Sequence, residues 1–100
     1  MTFDIHPEAT EEIRDAISYL DTDPPGKGSE FREAAYTTIS FVCRFPNVGT
    51  RRKNGARTRR IQGFEYLIAY VELDNVILVV AVYSGRRMPD YWESRMPQGK

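Results

Sequence analysis

The chain has one cysteine, one histidine and one tryptophan in its 100 residues. A lone Cys43 cannot form a disulfide within the chain, which excludes a cystine-stapled scaffold and suits a reducing cytosol. Cys43 lies in an apolar helical stretch and reads as a small core residue. The lone His6 stands just before the first helical pattern and reads as a helix-entry residue rather than a catalyst. The longest apolar run, Val76–Tyr83, is far too short to span a bilayer. The opening "MTFDIHPEAT" lacks a basic segment followed by an apolar one, so no secretory signal is expected, and a cytoplasmic location is. Repeats and low-complexity linkers are also missing. Residues 1–100 therefore read as a single domain.

What is present is charge, unevenly placed. Formal net charge is zero, yet residues 1–50 hold four Lys/Arg against nine Asp/Glu, and residues 51–100 hold ten against five. The chain is a charge dipole along its sequence. A basic second half suits phosphate or an acidic protein surface; the simpler alternative is that the two halves neutralise each other in the fold.

Periodicity divides the chain the same way. Phe3–Ile5 predicts a short opening strand. Pro7 stands at a first helical position, and Ala9, Ile13, Ala16, Ile17 and Leu20 then share one helix face. Glu8, Glu11 and Glu12 crowd the first turns, where the helix dipole favours anions. "DTDPPGKG" at 21–28 ends that helix. Ser29 is placed to cap a second one, with Phe31, Ala35, Thr38, Val42 and Phe45 inward and Pro46 as its stop. Residues 47–56 read as a loop. From Thr58 the period becomes two: a strand at Thr58–Gln62, a turn, a strand at Tyr66–Leu73, an Asp74-Asn75 hairpin turn, and the strand Val76–Tyr83. "VILVVAVY" is apolar on both faces and predicts a central strand covered on both sides. Arg86–Arg95 reads as loop or short terminal helix. The expected fold is α+β in two layers: a short strand and a helical hairpin packed on a small sheet, with a C-terminal antiparallel three-strand meander.

That order, with "RRIQGFEYLIAYVELDNVILVVAVYSGRRMPDYWESR" at 59–95, resembles the RelE/ParE superfamily of bacterial toxins. "HPEATEEIRDAISYL", Phe31, Phe45-Pro46 and the tail "GRRMPDYWESR" carry the same likeness. The resemblance implies the toxin half of a type II toxin–antitoxin pair, a growth-inhibiting plasmid-stabilisation element silenced by a cognate antitoxin in a hetero-oligomer. It implies no cofactor and no metal. Two activities occur among such proteins. RelE-like members are metal-independent endoribonucleases that cut mRNA in the ribosome, and ParE-like members bind and inhibit DNA gyrase without cutting RNA. The fold does not choose between them.

The residues lean one way. Metal-free RNA cleavage needs a group to take the 2′-hydroxyl proton, one to protonate the leaving oxygen, and charge to stabilise the phosphorane. The candidates are Lys53, Arg59, Arg60, Arg87 and Tyr91. Arginine holds phosphate well but is a poor acid or base. Lys53 and Tyr91 qualify only with lowered pKa values. Residues 51–60 carry six positive charges and no negative one, and the plainer reading of Arg51, Arg52 and Lys53 is a solvated basic loop. Neighbours on a strand point to opposite faces, so Arg59 shares a face with Arg57 and not with Arg60.

Many relatives of the resembled superfamily carry a histidine just after the core strand, where this chain has Ser84, and several catalytic lysines, where it has only Lys53. Both departures favour the ParE-like branch and a target-binding role for Arg57, Arg59, Arg60, Arg86, Arg87, Tyr91 and Arg95. Trp92 reads as an apolar plug folded back over the sheet, and Arg95 as a partner for a carboxylate. A nucleic-acid-binding α+β module without toxicity is a third reading; its signature is binding that falls steeply with salt.

Overall fold

The computed structural model describes residues 1–22, 25–87 and 91–97. The Asp23-Pro24 part of the interhelical turn and the Met88-Pro89 break lie outside the described residues. The chain runs through β1 (Thr2–Ile5), α1 (Pro7–Leu20), α2 (Lys27–Arg44), β2 (Thr50–Arg51), β3 (Arg57–Arg60), β4 (Tyr66–Leu73) and β5 (Val76–Ser84), and ends in a 3₁₀ turn at Glu93–Arg95. The described strands make one mixed sheet in the order β1-β5-β4-β3-β2. The meander β3-β4-β5 is antiparallel, while β1 joins the far side of β5 in parallel, from Thr2↔Val76 to Ile5↔Val79. The two-layer α+β expectation holds.

His6 caps α1, its Nδ1 accepting from the Glu8 N–H at 3.1 Å. Ser29 does not cap α2. The helix starts earlier, at Lys27, behind a left-handed Gly26 with no side-chain cap. Asp21 does the work instead: its Oδ1 accepts from the N–H groups of Gly26 and Gly28 at 3.0 and 2.8 Å, an anion at a helix N-terminus. The inner stripe of α2 is Gly28, Phe31, Ala35, Thr38, Ile39 and Val42. Phe45 falls past the last helical residue and is 49% exposed, so it is not part of that stripe. The loop expected at 47–56 contains β2, which pairs with Arg57 and Thr58, and the next strand is Arg57–Arg60 rather than Thr58–Gln62. Asp74 and Asn75 both take positive φ, as a tight hairpin turn between twisted strands requires.

Both faces of β5 are covered. Ile77, Val79 and Val82 join Ile68 and Tyr70 under the helices, against Ala9, Ile13, Phe31 and Ile39. Val80, Ala81 and Tyr83 join Ala69 and Ala56 on the opposite face, beneath a fully buried Trp92. The inward set switches from odd to even positions because β5 carries a bulge. Ala69 pairs with Ala81 but Tyr70 with Val79, leaving Val80 as the extra residue. No helix among the described residues is long and apolar enough to cross a membrane.

Candidate functional site

The site is built where β1 stops. The ladder with β1 ends at Ile5↔Val79, while β5 continues to Ser84. Beyond that point two side chains stand in for the missing strand. The Val82 N–H donates to Glu12 Oε1 at 2.9 Å, and Arg95 donates to the Val80 carbonyl at 3.0 Å. Glu12 and Arg95 are themselves joined, Nη1 to Oε1 at 2.9 Å and Nη2 to Oε2 at 3.0 Å. The Tyr91 hydroxyl donates to Glu12 Oε2. Four hydrogen bonds converge on one carboxylate and tie α1, the bulged end of β5 and the C-terminal segment together.

The pKa directions follow from these contacts. Burial pushes the Tyr91 phenol up strongly, and the Glu12 hydrogen bond and charge push the same way, against the lesser pull of Arg95 and Arg87. This is opposite to the lowered value that proton abstraction by Tyr91 needs. Burial alone lowers Arg95, but the hydrogen bond and charge of Glu12 outweigh it and raise the net value.

Around this knot lie several of the candidate residues. The Arg87 guanidinium sits 4.0 Å from the centre of the Tyr91 ring, and that ring stands edge-on to Tyr83 at 5.7 Å. Arg86 is exposed and 3.6 Å from Glu65, a contact of little strength in solvent. Arg95 is held by Glu12, Glu8 and the Val80 carbonyl, with its side chain only 10% exposed.

The β3 arginines divide as alternation demands. Arg57 and Arg59 pair with Tyr70 and Ile68 and so face the helices; Arg60 pairs with Leu67 and takes the opposite face. Arg57 donates to the carbonyls of Asn47 and Gly49, Arg59 lies 5.1 Å over Phe41, and the Arg60 Nε donates to the Phe64 carbonyl. Arg60, Leu67 and Tyr83 form one row across the sheet. Arg60 therefore shares a sheet end with Arg86 and Arg87, two strand spacings or about 10 Å from β5. Lys53, exposed in the turn between β2 and β3, is at the other end and is not brought to this group.

Glu12 is the residue that sequence reasoning missed, because it reads there as one of three acids near a helix start. A signal exists. Glu12 stands three residues after the buried Ala9 and four before the buried Ala16, on the inward stripe of α1. A carboxylate at such a position needs a cationic or hydrogen-bonding partner.

A helical hairpin packed on a five-strand mixed sheet places the chain among α+β proteins of RelE-like fold. The chain matches the family model described as ParE toxin of type II toxin–antitoxin system, parDE, over residues 3–89, and it belongs to that family. It is similar in fold to the isolated E. coli RelE toxin (crystal structure, P21 form), with a TM-score of 0.62 and 20% identity over 93% of each chain. Comparison with the curated proteins gives no match. Family membership implies a cognate antitoxin as partner.

Proposed function

We propose that this toxin acts by binding and inhibiting DNA gyrase. The observation that carries the reading is the ParE family model spanning residues 3–89. The local chemistry supports it. Tyr91 is engaged by Glu12 and held protonated, and Lys53 stands away from the Arg60–Arg86–Arg87 end, so neither of the two proposed proton-transfer groups is free to act there. An exposed arginine group suits binding to an anionic surface, since a guanidinium is a poor acid or base. In this reading Arg86 and Arg87 make the main target contacts, Arg60 adds to the same basic end, and Tyr91 holds Arg87 in place through its ring.

The test is a supercoiling assay. Purified chain is added to gyrase and relaxed plasmid, beside the Arg86→Ala/Arg87→Ala variant, and both are added to ribosomes translating a defined mRNA. Inhibited supercoiling, weakened in the variant, with intact mRNA, is the expected outcome. Cleaved mRNA with unaffected supercoiling sinks the proposal.

A further inference from the structure

The Arg60–Arg86–Arg87 end uses only one of the cations at positions 51–60. Arg51, Arg52, Lys53 and Arg57 gather at the other end, around the turn between β2 and β3. There Arg51 and Arg57 are register partners. The Arg52 N–H donates to the Ala56 carbonyl at 2.8 Å, so the ladder hydrogen bond falls to the next pair along. Antiparallel pairs alternate in kind. Arg51 and Arg57 therefore form a pair without mutual hydrogen bonds, the kind in which side chains stand closest, with Cα atoms about 4.5 Å apart. Two guanidiniums leave one sheet face side by side.

Like charges directly opposite each other destabilise a sheet. Other arginines of the chain meet carboxylates: Arg14 meets Glu11, Arg86 meets Glu65 and Arg95 meets Glu12. Among the described residues neither Arg51 nor Arg57 makes an ion pair. Their shared face instead holds a pocket of about 170 Å³, lined by both arginines, Asn47, Gly55, Tyr70 and Glu72 among others. At about 30 Å³ per water, that is room for a five-atom tetrahedral anion. Arg57 is set in advance. Its Nη1 donates to the carbonyls of Asn47 and Gly49 at 3.3 and 3.0 Å, which fixes the guanidinium plane and leaves the Nε and Nη2 N–H groups for other acceptors. Glu72 is exposed and competes for the same donors, but one carboxylate balances one guanidinium, not two.

We infer that the Arg51–Arg57 pocket binds one dianionic phosphate group, a monoester terminus rather than the singly charged diester of a nucleic-acid backbone. Each guanidinium donates to the phosphate oxygens, Arg57 from its fixed plane and Arg51 from the solvent side. The bound dianion offsets the repulsion within the pair. The group belongs either to a small phosphate compound or to the phosphorylated end of a nucleic-acid strand. The inference does not use the gyrase reading and stands or falls apart from it.

The probes are methyl phosphate, dimethyl phosphate and chloride at matched ionic strength, with the Arg51 and Gly55 amides and the Arg57 Nε–H followed by NMR. Methyl phosphate is expected to shift these signals saturably and to bind at least about tenfold more tightly than dimethyl phosphate, while chloride leaves them in place. Arg51→Ala, at an exposed position, should weaken methyl phosphate by at least about tenfold. Glu72→Gln should tighten it. Methyl phosphate should also raise the unfolding midpoint of the parent and not that of Arg51→Ala. A dinucleotide with a 5′-phosphate, set beside its 5′-hydroxyl form, separates the sources. Tighter binding than methyl phosphate assigns the site to a strand end, and equal binding assigns it to a small phosphate compound; either supports the site. Four outcomes overturn the proposal: no saturable shift, equal response to methyl and dimethyl phosphate, shifts centred on Arg86 and Arg87, or binding unchanged in Arg51→Ala.

Discussion

Arg95 meets Glu12 through both guanidinium nitrogens, at 2.9 and 3.0 Å, at the point where β1 ends and β5 continues alone. The pair is little exposed, 10% for Arg95 and 16% for Glu12, so neither charge can be left to water. Glu12→Ala strands a guanidinium whose remaining acidic neighbour is the exposed Glu8, and frees the Val82 N–H and the Tyr91 hydroxyl of their acceptor. Losing one member of such a pair costs about 3 kcal/mol. Glu12→Gln, which keeps an acceptor oxygen, should cost less. Urea unfolding of both variants measures the order; equal and small losses would show that the knot is not holding the C-terminal segment.

Tyr91 gives that knot a pH dependence of known sign. Its folded pKa is raised, by burial first and by Glu12 second, above an unfolded value near 10. Its contribution to stability is then fully present below about pH 10 and is lost as pH rises through the folded value. In Tyr91→Phe the alkaline fall in stability should be shallower than in the parent. Denaturation midpoints collected from neutral pH upward test this, and parallel curves for the two proteins count against the assigned cause.

Much of this architecture is legible in the sequence because it obeys short periods. The face of α1, the Asp74-Asn75 turn and the two-sided burial of β5 all follow from spacing and residue type. What escapes is what depends on a partner distant in sequence. The Val80 bulge leaves an unbroken apolar run and no local trace. β2 is two residues long and defined by its pairing with β3. Asp21, not Ser29, meets the N–H groups at the start of α2, through contacts to Gly26 and Gly28 five and seven residues on that no short period announces. Glu12 carries a readable spacing, but Arg95, its partner, is 83 residues away. The candidate site was legible as a set of basic residues and not as an arrangement: nothing local separates Arg95, tied inward, from Arg86, exposed at the sheet's end.

Trp92 reports on the same segment. It is fully buried on the sheet face opposite the helices, among Ala69, Val80 and Tyr83, and it is the chain's only tryptophan. Its fluorescence therefore reports whether the C-terminal segment is seated on the sheet. Trp92→Ala removes the largest side chain on that face and should cost about 3–5 kcal/mol. In the Glu12→Ala protein the emission should shift to the red at denaturant concentrations where far-UV circular dichroism is still native, because the segment is released before the sheet melts. Coincident transitions by the two probes would mean that the segment and the sheet unfold as one unit.

The Tyr70 hydroxyl fixes the entry to β2, and Gly49 is the residue that lets it. The hydroxyl donates to the Pro46 carbonyl at 2.8 Å and accepts from the Gly49 N–H at 2.9 Å, closing the turn after α2 over the helix-side core. A Cβ on residue 49 would lie 2.6 Å from that hydroxyl and 2.8 Å from the Thr58 carbonyl. Gly49→Ala therefore displaces the turn and should cost about 1–3 kcal/mol through overpacking. Tyr70→Phe leaves a buried N–H and a carbonyl without their partner, at about 1–3 kcal/mol. The two losses should not add. Removing the hydroxyl also removes the atom nearest to the new methyl group, so the double variant should be more stable than the sum of the single losses predicts. A double-mutant cycle by chemical denaturation reads the coupling directly, and strict additivity would show that the methyl group meets the Thr58 carbonyl alone.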